Sequence, residues 1–221
     1  MVKGLTTTIP IVFSTGVDPV QTGLVRSLNQ PGGNATGVAD VAVGLGSKRL
    51  GLLHELLPGA MRFALLVTPA TTTGESTIAE VKSAAVAIGM QIEILTATTN
   101  LDIDAAFASL AQKRADALLV APQILFSTRR VQLVTLAARH AVPTMYYQRE
   151  YVGLMSYGSS IIDRERLLGV YTGRILKGEK PADLPILRAV KFEFVINLQT
   201  AKTIGLDVPP TLLARADEVI E

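Results

Sequence analysis

Apolar and polar positions along this chain fall into short, nearly unbroken hydrophobic runs separated by longer stretches with helical spacing. The runs Ile9–Ser14, Phe63–Thr68, Gln91–Leu95, Ala117–Ala121, Val142–Tyr146 and Leu154–Tyr157 are predicted as strands buried on both faces of a parallel sheet. The spacing between and after them predicts helices over Pro19–Leu28, Ser47–Leu57, Glu75–Ile88, Asp102–Gln112, Thr128–His140 and Arg164–Lys177. Ser47 is expected to cap its helix, Glu75 to open one that stops at Gly89, and Asp102 or Asp104 to cap the next. Strand–helix alternation of this kind implies an α/β fold with right-handed crossovers. From Phe63 to Tyr146 the alternation is regular and predicts a complete small α/β domain. The flanks, Ile9–Leu28 and Arg164–Glu221, supply one strand, two helices and a short strand–helix tail, and are expected to pair with each other as a second, thinner domain.

Composition narrows the function classes. The chain has 221 residues, 48% of them hydrophobic, yet no apolar run reaches the roughly 18–20 residues that span a bilayer. Net charge is +2 with Lys and Arg scattered, so no basic tract argues for a nucleic-acid partner. Cysteine is absent, which excludes disulfides, thiol catalysis and thiolate metal sites. His54 and His140 fall late on separate predicted helices and form no metal-ligand pair. No metal and no cofactor is expected. Met1-Val2-Lys3-Gly4 leads straight into threonines and a strand, without a signal peptide. That start fits a cytoplasmic chain if Met1 is the true beginning, and equally a chain that begins inside a larger protein.

Enzyme motifs are broken. In Gly44-Leu45-Gly46-Ser47-Lys48-Arg49 the third glycine of a dinucleotide loop would fall on Arg49, and no Walker pattern or nucleophile elbow exists. The chain is therefore not expected to be an enzyme. Asn34-Ala35-Thr36 reads as a turn after Gly32-Gly33, with Asn34 suited to left-handed backbone.

Open α/β sheets bind ligands beyond the carboxyl ends of their strands. The loops at that edge are Ser14–Pro19, Thr68–Gly74, Pro122–Thr128 and Tyr146–Tyr151. For Thr71-Thr72-Thr73, helix capping and ligand contact weigh evenly. Tyr146-Tyr147-Gln148-Arg149-Glu150-Tyr151 gathers three tyrosines in a chain that is 5% aromatic, a composition suited to a flat solute with charged groups.

Several strings resemble one bacterial family of ABC-transporter substrate-binding proteins, the tryptophan and aromatic-amino-acid-binding type. They are TTTIPIVFSTGVDPV at Thr6–Val20, SLNQPGGNATGV at Ser27–Val38, RADALLVAP at Arg114–Pro122, GLMSYGSS at Gly153–Ser160 and GVYTGRILKGEKPADLP at Gly169–Pro185. The resemblance implies an α/β, type I periplasmic-binding-protein-like fold: two parallel-sheet lobes joined by hinge crossovers, with a solute held between them. It places residues 1–36 and 157–221 in a first lobe that lacks its N-terminal βα units, and residues 37–156 in a second lobe with the crossover segments Asn34–Val41 and Tyr151–Tyr157. It implies solute contacts from Ser14, Thr15 and Asp18 on one side, from Pro69, Gln123, Tyr146 and Arg149 on the other, and from Ser156 and Tyr157 at the hinge. The implied partners are a small organic solute, such as an amino acid or aromatic compound, and an ABC permease. The implied location is periplasmic. An exposed sheet edge in the first lobe would let two copies associate. The alternatives are a cytoplasmic ligand-sensing domain of the same architecture, a non-functional shortened copy and, lowest, a nucleotide-dependent enzyme.

Overall fold

The computed structural model describes residues 5–40, 45–188 and 191–221. Readings that touch Met1–Gly4, Val41 or Gly44 lie outside the described residues. The chain divides into two compact units, Met1–Ala42 with Ser159–Phe192, and Val43–Gly158 with Glu193–Glu221.

The larger unit is built on a seven-stranded sheet. Its strands are β3 (Arg62–Val67), β4 (Gln91–Thr96), β5 (Ala117–Val120), β6 (Thr144–Tyr146), β7 (Met155–Ser159), β9 (Phe192–Asn197) and β10 (Glu218–Ile220), in the order β10-β9-β7-β6-β5-β3-β4. The registered pairs β3–β4, β3–β5, β5–β6, β6–β7 and β9–β10 are all parallel. β3 and β5 are buried along almost their whole length, as continuous Leu/Val/Ala runs demand of inner parallel strands. Helix α1 (Leu45–Leu56) packs on α2 (Thr72–Ala87), and α3 (Asn100–Gln112) packs on α5 (Arg130–Arg139), which follows the short α4 (Ile124–Thr128). β4 lies on one side of β3 and β5 on the other. Right-handed connections therefore send α2 and the α4–α5 pair to opposite faces. The strand order reverses between β3 and β5, which is the position where such sheets open a binding crevice. The helices α7 (Leu198–Thr203) and α8 (Pro210–Leu213) complete this unit.

The smaller unit carries three parallel strands, β1 (Ile11–Thr15), β2 (Ala35–Ala39) and β8 (Leu187–Arg188), with β2 in the centre. Helix α6 (Ile161–Leu176) packs on β1 and β2. The core is small: Val25, Ala39 and Ile186 are buried, with Phe13 and Leu28 against them. Polar ties supplement it. The Thr36 hydroxyl donates to Leu184 O at 2.7 Å, and the Tyr171 hydroxyl to Pro185 O at 2.6 Å.

Five expectations are corrected. No helix forms over Pro19–Leu28. Pro19 O accepts the N–H groups of Leu24 and Val25, and Gly23 takes a left-handed φ of 69°. A glycine in that conformation closes the turn and stops propagation. Ser47 lies inside α1 rather than ahead of it; its N–H donates to Glu80 Oε1 at 2.7 Å, so a carboxylate on α2 serves that helix start. Thr99, not an aspartate, caps α3, with Asp102 completing a capping box. Asn34 is not left-handed; Gly32 is. The Asn34 amide donates to Thr6 O and Ile9 O and pins the chain before β1. Finally, residues 37–39 belong to the three-stranded sheet and residues 193–221 to the larger unit. Most of the stretch read as a crossover is thus a strand of the smaller sheet, and the C-terminal segment is not part of the smaller unit. Pairing decides both: Phe13 lies opposite Gly37 in β1–β2, and β9 lies beside β7.

Candidate functional site

Three loops meet at the carboxyl ends of β3, β5 and β6. After β3 the chain runs Thr68-Pro69-Ala70-Thr71 into α2. Ala70 is left-handed at φ 56°, and the Thr71 hydroxyl accepts the Gly74 N–H at 3.0 Å as the cap of α2. The capping half of the threonine expectation is therefore present. A β-carbon on Gly74 would fall 2.4 Å from Thr68 O, so only glycine allows the loop to fold back this closely. Pro69 is half-buried in this loop.

After β5, half-buried Gln123 reaches back to the same loop. Its Oε1 accepts the Thr68 N–H at 2.5 Å, and its Nε2 donates to Thr68 O at 2.9 Å and to Thr71 Oγ1 at 3.0 Å. Sequence reasoning named Gln123 and, separately, Thr71, but not their contact with each other or with Thr68.

After β6 the tyrosines pack on one another. The Tyr146 and Tyr151 rings stack with centroids 4.6 Å apart, and Tyr147 meets Tyr151 edge-on at 5.3 Å. The Tyr151 hydroxyl donates to Tyr147 Oη at 3.0 Å; the Tyr147 hydroxyl lies 3.1 Å from Gln123 O and 2.6 Å from Ser127 Oγ. All three rings are buried. Burial pushes the phenol pKa of Tyr146 and of Tyr151 well above the ordinary tyrosine value, so both stay neutral. Tyr146 lies inside the core and supports this edge from beneath. The sequence marked Tyr147 and Tyr151 as part of a tyrosine cluster but not Ser127; the hydroxyl chain that links the three depends on tertiary contact.

Arg149 sits in a short 3-10 turn and pairs with Glu218 on β10 at 2.7 Å, with Glu193 at 3.9 Å. Ser156 is buried in β7 beside Tyr146. Tyr157 is half-buried, edge-on to Phe194, and its carbonyl accepts from Arg49 Nε at 2.7 Å. Pro69 and Gln123 are thus brought together, while Arg149, Ser156 and Tyr157 spread along β7 and towards β9 and β10. A cavity of about 160 Å³ lined by Phe107, Asp116, His140 and Pro143 lies at the amino ends of β5 and β6, away from these loops.

The smaller unit has its own carboxyl edge. Ser14 is exposed at the end of β1. The Thr15 hydroxyl closes a turn with Val17. Asp18 Oδ1 accepts the N–H groups of Val20 at 2.8 Å and Gln21 at 3.2 Å. Asp40, which the sequence reading passed over, ends β2 here. It accepts from the Ser159 hydroxyl at 2.5 Å and lies 3.8 Å from Arg164 Nη1. Among the described residues no group of His, Asp or Glu is arranged to hold a metal ion.

Hydroxyl-rich loops at a point of strand-order reversal make this edge the candidate site. A family model for ABC transporter substrate binding proteins matches residues 1–220. The chain belongs to this family. It is 25% identical over 202 residues to a tyrosine-binding protein of Clostridioides difficile (strain R20291), covering 90% of this chain and 57% of that one. It therefore spans little more than half the length of that curated relative. Among solved structures it is similar to a conserved domain protein from Vibrio cholerae, with 27% identity, a TM-score of 0.83, and 99% and 74% of the two chains covered. It shares the fold of an ABC domain in complex with L-Trp from Streptococcus pneumonia, with 24% identity, a TM-score of 0.83, and 98% and 74% covered. The α/β, type I periplasmic-binding-protein-like class expected from the sequence holds in this family member, with parallel sheets in both units.

Proposed function

We propose that this family member is a solute-binding component of an ABC importer, that it catalyses no reaction, and that its solute is a small amino acid with an aromatic side chain. The observation that carries the reading is the set of loops at the strand-order reversal between β3 and β5. There the exposed Thr71 and Thr72 stand at the start of the sixteen-residue helix α2. The open N–H groups of a helix start and its positive dipole end suit a carboxylate. On the edge of the smaller unit, Asp18 is the acidic group we assign to a solute ammonium. The tyrosine-binding relative supports an aromatic amino acid, as does the L-Trp complex of the fold neighbour. Family membership supports a permease partner and a location outside the cytoplasmic membrane. No helix among the described residues is long and apolar enough to cross a membrane.

Isothermal titration of the full chain with L-tryptophan, L-tyrosine and L-phenylalanine tests the proposal, with tryptamine and indole-3-propionate as controls. An amino acid should bind at micromolar concentration, and each control should bind at least tenfold more weakly. Equal binding of the controls would remove the carboxylate and ammonium contacts.

A further inference from the structure

Gln123 touches all three loops of the larger unit's carboxyl edge. Its side chain holds both backbone groups of Thr68 and the hydroxyl of Thr71, in the loop after β3. Its carbonyl accepts from the Tyr147 hydroxyl at 3.1 Å, from the chain after β6, and from the N–H groups of Phe126 and Ser127 in its own loop. Both amide hydrogens are spent, one on Thr68 O and one on Thr71 Oγ1, and no donor remains for a solute. The loop it grips is otherwise costly to hold. Ala70 is left-handed, and Gly74 allows a fold-back that a β-carbon would block.

We infer that Gln123 is a positioning residue: it fixes the Thr68–Thr73 loop in its solute-ready shape and does not itself contact the solute. The inference rests on the proposed function. Without the amide, the Thr68 N–H and C=O turn to water and the loop samples other conformations. A solute must then reorder the loop on binding, and the ordering cost appears as lost affinity.

The test uses the full chain, with Gln123→Met, which keeps the length and loses the amide, and Gln123→Glu, which keeps the shape and acceptor but loses both donors. L-Tryptophan and L-tyrosine are the probes. Affinity is read by titration calorimetry, and amide hydrogen exchange is followed across residues 67–73. Both variants should melt cooperatively and bind about tenfold or more weakly than wild type. Free variants should lose protection over residues 67–73, and saturating amino acid should restore it. Wild-type affinity in both variants would overturn the inference. So would weaker binding with residues 67–73 still protected, because Gln123 would then be a direct contact. Loss of protection throughout β3–β6 that the amino acid does not restore would also overturn it, by reducing Gln123 to a purely structural role. A wild-type chain that binds neither probe would remove the proposed function, and the inference with it, before any variant is compared.

Discussion

Gly153 lies so close to the Tyr146 ring that a β-carbon there would sit 2.2 Å from the ring's Cε2 atom. The ring is buried and stacks on Tyr151 at 4.6 Å, so it has little room to retreat. Gly153→Ala is expected to cost about 1–3 kcal/mol, the usual penalty for forcing extra volume into a packed interior. Urea unfolding should show a lower midpoint with an unchanged slope. An unchanged midpoint would mean the tyrosine cluster is loosely packed.

A second close approach ties the smaller sheet together. Gly37 pairs with Phe13, and a β-carbon on Gly37 would meet Phe13 O at 1.9 Å. Gly37→Ala should break the β1–β2 pairing at a cost on the order of 3 kcal/mol, the upper range for overpacking. Hydrogen exchange is expected to quicken over Ile11–Thr15 while Phe63–Val67 stays protected, since compact units open separately. Uniform loss of protection would show that the two units unfold as one.

Asp102 gives the fold an acid limb. The Thr98 N–H and hydroxyl and the Thr99 N–H hold its carboxyl below the ordinary aspartate value. A depressed folded-state pKa contributes stability that is present above the unfolded value and lost as pH falls through the folded value. Asp102→Asn should remove that part of the acid sensitivity and leave the melting profile flatter below the ordinary aspartate range. Thr99→Ala, which deletes the cap itself, should cost about 1 kcal/mol at neutral pH.

How much of this was legible in the sequence follows from the range of each interaction. Strands β3 and β5 show plainly because each is a nearly unbroken apolar run bounded by turn residues, and α6 shows because its pattern spans 16 residues. β4, read as buried on both faces, is instead an edge strand whose Gln91 and Glu93 are exposed. β2 was hidden. Ala-Thr-Gly-Val-Ala has no alternation to read, and its glycine is there for a neighbour 24 positions earlier. Residues Pro19–Leu28 carry helical spacing, but Gly23 overrides it locally. At the site, Gln123 was visible as the residue beyond a strand ending in Ala-Pro. Its role was not, because its side-chain partners lie 52 and 55 positions away. Arg149 was read as a solute contact, and its pairing with Glu218, 69 positions on, was not legible before tertiary packing.

Asp18 separates two roles that one substitution would confuse. Its Oδ1 already serves the N–H groups of Val20 and Gln21. Asp18→Asn keeps an oxygen for that turn and removes the charge. If the carboxylate meets a solute ammonium, Asp18→Asn should weaken an amino acid about tenfold or more, the value of a charge-assisted hydrogen bond, with little change in melting temperature. Affinity equal to wild type would take Asp18 out of the site.

Solute binding itself is the central claim, and thermal unfolding of the purified full chain tests it most directly. Melts are recorded with and without each of the twenty amino acids. At about 100 times its dissociation constant, a bound amino acid adds about 2.7 kcal/mol. For a chain of 221 residues that raises the melting temperature by about 5–10 °C. The account predicts a shift of this size with tryptophan, tyrosine or phenylalanine and none with acidic or basic amino acids. A cooperative melt that no amino acid moves would contradict it.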